Sequence, residues 1–192
     1  RAAAADELWP EVEAQLPFLD YLPEPARLHA RELALAILRD KTFHGANGLD
    51  LTDPMMLSIA LQAALPVLRA GAGAYRDWGG IVVYPGEIVV PRSEVDDSGV
   101  VHEYAQTVLG EAWSHGPVLL AWDVDAGHSL GQDAGAQVVV HEFAHKLDMA
   151  SGEANGCPLL PDDISQLATA VEEVQSERLQ GLARYLRTPS AG

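Results

Sequence analysis

The sequence predicts an α+β fold, a small, mostly antiparallel sheet packed with helices, and three observations predict it. Residues 25–41, 53–66 and 162–187 repeat apolar side chains at helical spacing. Short β-branched runs cluster between residues 80 and 122, without the strand–helix alternation of a parallel α/β sheet. The segment Val138-Val139-Val140-His141-Glu142-Phe143-Ala144-His145-Lys146-Leu147-Asp148 is apolar on most of its circumference, as a helix through a domain interior must be.

In chain order, residues 1–23 hold Trp9, Leu16, Phe18, Leu19 and Tyr21 between prolines, and are expected to pack as a cover rather than as a core element. Pro25 opens a helix to about Lys41, with Ala30, Leu33, Ala34, Ile37 and Leu38 on one face. Gly45-Ala46-Asn47-Gly48 is turn chemistry. Asp53 and Pro54 read as the N-cap and first residue of a second helix, which Pro66 ends. Met55 and Met56 on that helix are expected as core filling. Gly80–Tyr84 and Glu87–Val90 are strand-like, and Pro85-Gly86 between them marks a hairpin or a bend. Pro117–Trp122 is a further strand, preceded by the segment Gly110-Glu111-Ala112-Trp113. An acidic, glycine-rich loop over 123–136 leads into the histidine helix, from about Gly135 to Met149. A second loop, 151–161, precedes the long amphipathic helix of 162–187.

Composition bounds the class. A chain of 192 residues, 48% hydrophobic, can bury the core of one domain spanning 1–192. Twenty-eight acidic side chains against 12 basic ones give a formal net charge of -16. That balance argues against direct contact with nucleic acid or an anionic membrane, and is compatible with a peptide substrate. Its one cysteine, Cys157, excludes an internal disulfide framework and fits a reducing, cytoplasmic setting. The start shows no apolar signal region, and no run of 18 apolar residues could span a membrane.

The chemistry is concentrated in His141, Glu142 and His145. Histidines four residues apart differ by about 400° of rotation, so they leave the same helix face one turn apart and can share one divalent ion. Glu142, about 100° round from His141, can reach a water on that ion without occupying a coordination place. This is the HExxH arrangement, two imidazole ligands for Zn²⁺ with a carboxylate as general base. With seven histidines in 192 residues, random order would give roughly 0.02 such matches. Catalytic zinc usually takes three protein ligands, so a third is expected. Asp148 shares the histidine face and can hold an imidazole in the right tautomer from behind. Glu172 and Glu173 on the long helix are candidates for the third ligand or members of a solvated face. His29, His44, His102, His115 and His128 are expected to be ordinary polar residues, and Cys157 a packing or surface residue.

The block VVVHEFAHKLDM at 138–149, with GIVVYPGEIVV at 80–90, GEAW at 110–113 followed by GPVLLAW at 116–122, and FHGANGLDLTD at 43–53, resembles the Mlc titration factor A family. The resemblance runs from about Pro23 to Arg187. It implies a cytosolic zinc metallopeptidase, zincin-like around its HExxH helix and distantly related to the catalytic domain of anthrax lethal factor. His141 and His145 would be zinc ligands, Glu142 the base, and the activity aminopeptidase-like. It also implies binding of a transcriptional repressor of the Mlc type. The family's third ligand is a glutamate on a later helix in an Ala-Glu-Phe-Phe-like stretch. No such stretch occurs here, so that ligand is expected beyond Gly192, the domain lacking its C-terminal helices. Gln137 and Ala136 depart from the family's pattern without touching the chemistry.

Three readings follow. The first is a zinc peptidase. The second is a non-catalytic module that captures a regulator around a structural or vestigial metal site. The third is an α+β domain with no metal. The intact His141, Glu142 and His145 favour the first, because a binding surface has no need of a general base.

Overall fold

Strand β6, Val118–Asp123, is the centre of the main sheet, and all but its last residue are buried. A strand buried on both faces reads as an unbroken apolar run, which Val-Leu-Leu-Ala-Trp is. One edge of β6 pairs in parallel with β2, Gly80–Pro85, which pairs in parallel with β1, Thr42–Gly45. The other edge pairs antiparallel with β5, Gly110–Ala112, and then with β7, His128–Ser129. The main sheet therefore has the order β1-β2-β6-β5, with β7 beside β6. Strands β3, Ile88–Val95, and β4, Val101–Val108, form a separate antiparallel ribbon. The computed structural model describes residues 2–150 apart from 97, 133, 134 and 136, all within a compact unit drawn from Arg1–Pro158. The expected loop at 151–161, Cys157, and the helix of 162–187 with Glu172 and Glu173 lie outside the described residues.

The α+β class holds, and the sheet corrects the expectation of a mostly antiparallel one. Its main sheet is mixed, because β1, helix α3 (Asp53–Ala64) and β2 make a strand–helix–strand crossover between parallel neighbours. β1 is only Thr-Phe-His-Gly, too short and too poor in β-branched residues to announce itself ahead of the turn that follows. Gly45 closes β1 against that turn, since a Cβ there would lie 1.8 Å from the Leu49 carbonyl oxygen. The cap of α3 is Thr52 rather than Asp53: the Thr52 hydroxyl accepts from the Met55 amide at 3.4 Å, and Pro54 sits in the first turn.

Residues 1–23 are also corrected. Helix α1, Ala2–Ala14, and the 3₁₀ turn Pro17–Tyr21 bury Ala5, Trp9, Val12, Leu16 and Leu19, an alternating 4-3 spacing that presents one face to the main core. Arg31 of helix α2, Glu24–Asp40, binds the Glu13 carboxylate through two nitrogens at 2.6 and 2.8 Å and lies 5.5 Å over the Trp9 ring. The first segment is part of the core.

Pro85-Gly86 proves to be a bend rather than a hairpin. Gly86 at φ 105° turns the chain out of the main sheet and into the ribbon. There Ile88 and Val90 pack on Leu119 and Ala121, the face of β6 opposite the main core. The ribbon is fastened by Arg92, which reaches Glu111 on β5 at 2.8 Å and Gln106 on β4 at 2.9 Å. Met55 packs against the main core, whereas Met56 lines a cavity of about 520 Å³ among α1, α2, β1 and α3. Among the described residues no helix is long and apolar enough to cross a membrane.

Candidate metal centre

Helix α4, Val138–Ala150, carries the histidines. Its first turn is closed by the His141 amide donating to the Gln137 carbonyl at 2.9 Å. Val139, Phe143 and Leu147, spaced four apart, enter the main core. The apolar circumference is not buried throughout: Val139 is inside, while Val140 is half-buried and Ala144 shares the exposed side with the histidines. Phe143 is one corner of an aromatic triad, with ring centroids 5.4 Å from Tyr75 and 5.5 Å from Trp78, and Tyr75 5.7 Å from Trp78. That triad backs the helix and fixes its rotation.

On the exposed side the structure brings His141 and His145 together as the spacing predicts. Their Nε2 atoms are 2.9 Å apart, with ring planes at 90°. In a tetrahedral site with Zn–N bonds of about 2.05 Å, two nitrogens stand about 3.3 Å apart, a few tenths from what is present. One ring can donate its Nε2–H to the other across this distance, and the same approach would let both nitrogens face one divalent ion. Among the described residues no group of three His, Cys, Asp or Glu side chains could hold a metal.

Glu142 is 7% exposed, tucked under β5. Burial pushes its carboxyl above the ordinary carboxylate range; His141, His145 and the N–H of Ala112 pull it back, and Glu111 adds a smaller upward push. The Ala112 amide faces the carboxylate and favours its charged form. Asp148 is buried one turn further on, at 5% exposure.

The fit of β5 on α4 depends on a residue that spacing could not single out. A Cβ at Gly110 would lie 2.7 Å from Glu142 Cγ and 2.8 Å from Val138 Cγ1. Only glycine lets the strand come this close. Gly110→Ala is therefore expected to push the strand and the Glu142 side chain apart. Were Glu142 the base of a hydrolytic site, a displacement near 1 Å there would cost on the order of 100-fold, and kcat/KM would fall roughly 10- to 100-fold. A rate equal to that of the unsubstituted protein would show that Glu142 tolerates the shift.

Lys146 was also unmarked in the sequence. It is 2% exposed, donates from Nζ to the carbonyls of Trp113 and Gly116, and lies 4.7 Å from the centre of the Trp78 ring. Burial, and to a lesser degree Lys41, pushes its ammonium down to about 8. Lys41 lies 4.6 Å from the same ring and donates to the Tyr75 and Trp78 carbonyls.

Two imidazoles and a buried carboxylate thus share one helix, set against the edge strand β5 of an α+β fold. The chain belongs to the glucose-regulated metallo-peptidase M90 family, which it matches over residues 1–188. It is 36% identical over 178 residues to the Mlc titration factor A of Pectobacterium atrosepticum, a match covering 89% of this chain and 66% of that one. It is 37% identical over 169 residues to the Mlc titration factor A of Serratia proteamaculans, covering 84% and 63%. To that of Yersinia pestis it is 36% identical over 145 residues, covering 74% and 53%. The chain thus spans less than two thirds of the length of these relatives.

Proposed function

We propose that the chain is the zinc-holding part of an aminopeptidase-like peptidase acting on peptides in the cytoplasm, with a zincin-like arrangement around α4. The observation that carries it is the convergence of His141 and His145 Nε2 at 2.9 Å on the helix that also buries Glu142 against β5. His141 and His145 hold the Zn²⁺. A zinc ion held there would supply a coordinated water of pKa about 7 and polarisation of the scissile carbonyl. Glu142, steadied by the Ala112 N–H, accepts the water's proton as the oxygen attacks the carbonyl carbon, and returns it to the leaving amine. Asp148 holds an imidazole from behind. A carboxylate outside the described residues completes the ligands, either Glu172 or Glu173 or a glutamate in a part of the whole protein beyond Gly192.

The test is hydrolysis of peptide anilides by the whole protein. Activity should vanish on treatment with a chelator and return with one equivalent of Zn²⁺; a rate indifferent to chelation would overturn the reading. A second reading, binding of a Mlc-type repressor, is favoured by the name the relatives carry. It is compatible with hydrolysis.

A further inference from the structure

We infer that Lys146 is a positioning residue of the hydrolytic site: it pins the turn after β5 and so keeps the Ala112 N–H on the Glu142 carboxylate. Glu142 and Lys146 are four residues apart, hence on one face of α4 one turn from each other. They take hold of consecutive residues. Glu142 lies against β5 facing the amide of Ala112, and Lys146 donates to the carbonyl of Trp113. The second Lys146 bond, to the Gly116 carbonyl at 2.7 Å, spans the turn that carries β5 into β6. That turn is closed within itself by Trp113 donating to Pro117 and Gly116 donating to Trp113, each at 3.2 Å. It therefore moves as a unit, and Lys146 fixes the unit to the helix.

The chemistry of Lys146 supports a specific role. Its partners among the described residues are two carbonyl oxygens and the face of Trp78, with no carboxylate. Burying an ammonium without a counter-charge is costly, and an apolar side chain of the same length would fill the space at lower cost. What an apolar chain cannot supply is two directed bonds to the backbone of the strand that touches the base. The third element of the clamp is Gly110, whose bare Cα lies against Glu142. Strand and base are thus held at residues 110, 112 and 113, and the last of these is the lysine's.

The inference rests on the hydrolytic reading, and its test separates the two. In Lys146→Met, amide hydrogen exchange of the metal-free full chain should quicken at Ala112 by about tenfold or more, with Val83 and Leu120 in the central strands unchanged. With zinc restored, kcat per zinc-loaded molecule should fall roughly tenfold while KM stays within about threefold. Unchanged exchange at Ala112 would overturn the pin, as would an equal rise at all three amides, which is general loosening. Faster exchange with an unchanged kcat would overturn its role in positioning. If the unsubstituted protein hydrolyses nothing, the hydrolytic reading fails while the exchange result still judges the clamp. Should Lys146→Met not fold, Gly116→Ala disturbs the same turn from its other side, its Cβ falling 3.1 Å from Trp113 Cβ, and the same outcomes apply.

Discussion

Glu142→Gln is expected to keep its zinc and its fold while kcat for peptide-anilide hydrolysis drops by about 10²- to 10⁴-fold. The amide has nearly the size of the carboxylate, and its oxygen can still accept from the Ala112 N–H. What it cannot do is take a proton from water. Stability should move the other way. Burial raises the Glu142 pKa in the folded chain, so its ionised form is disfavoured by folding at neutral pH. A neutral amide removes that penalty, and Tm should be equal to or above that of the unsubstituted protein. Steady-state rates, metal analysis and a thermal melt on one preparation decide the matter. A zinc-loaded Glu142→Gln protein working at the full rate would remove Glu142 from the role of base.

Much of the site was legible because it is local. His141 and His145 meet through helical spacing alone, and 2.9 Å between their Nε2 atoms is what an i, i+4 pair on a regular helix can reach. The residues that aim Glu142 were not legible, because their contacts run between distant parts of the chain. Gly110, Ala112 and Trp113 reach α4 only after β6 has paired back on β5. The fold divides along the same line. Helices α2 and α3 were visible in their periodicity. α1 was not, because Pro10 and Pro17 interrupt a segment whose buried residues are nevertheless regularly spaced. β4, with exposed Val, His, Glu, Tyr and Gln, lacks the alternation of a half-buried strand because all but its last residue are exposed. Its cross-strand bonds are polar, Tyr104 to Glu94 at 2.8 Å and Arg92 to Gln106 at 2.9 Å. The β1–α3–β2 crossover was hidden by the brevity of β1, which gains its place from pairing with β2 rather than from its own residues.

Replacing His141 or His145 by Ala should abolish stoichiometric zinc binding, and replacing both should leave none. Structural zinc sites gain about 10–16 kcal/mol from roughly four ligands, so one imidazole is worth on the order of 3 kcal/mol, more than 100-fold in affinity. The loss should come without damage to the core. Both rings lie on the exposed side of α4, whereas its packing rests on Val139, Phe143 and Leu147. Removing one ring costs only an exposed hydrogen bond between the two imidazoles, so the metal-free single variants should melt close to the metal-free parent. Zinc should raise the Tm of the parent alone, because a ligand that binds only the folded state stabilises it in proportion to its affinity. Competition with a chromophoric chelator measures the affinity, and melts with and without metal measure the linkage. If the double variant kept one zinc per chain, the ion would sit elsewhere, and the helix would carry two histidines whose pairing serves no metal.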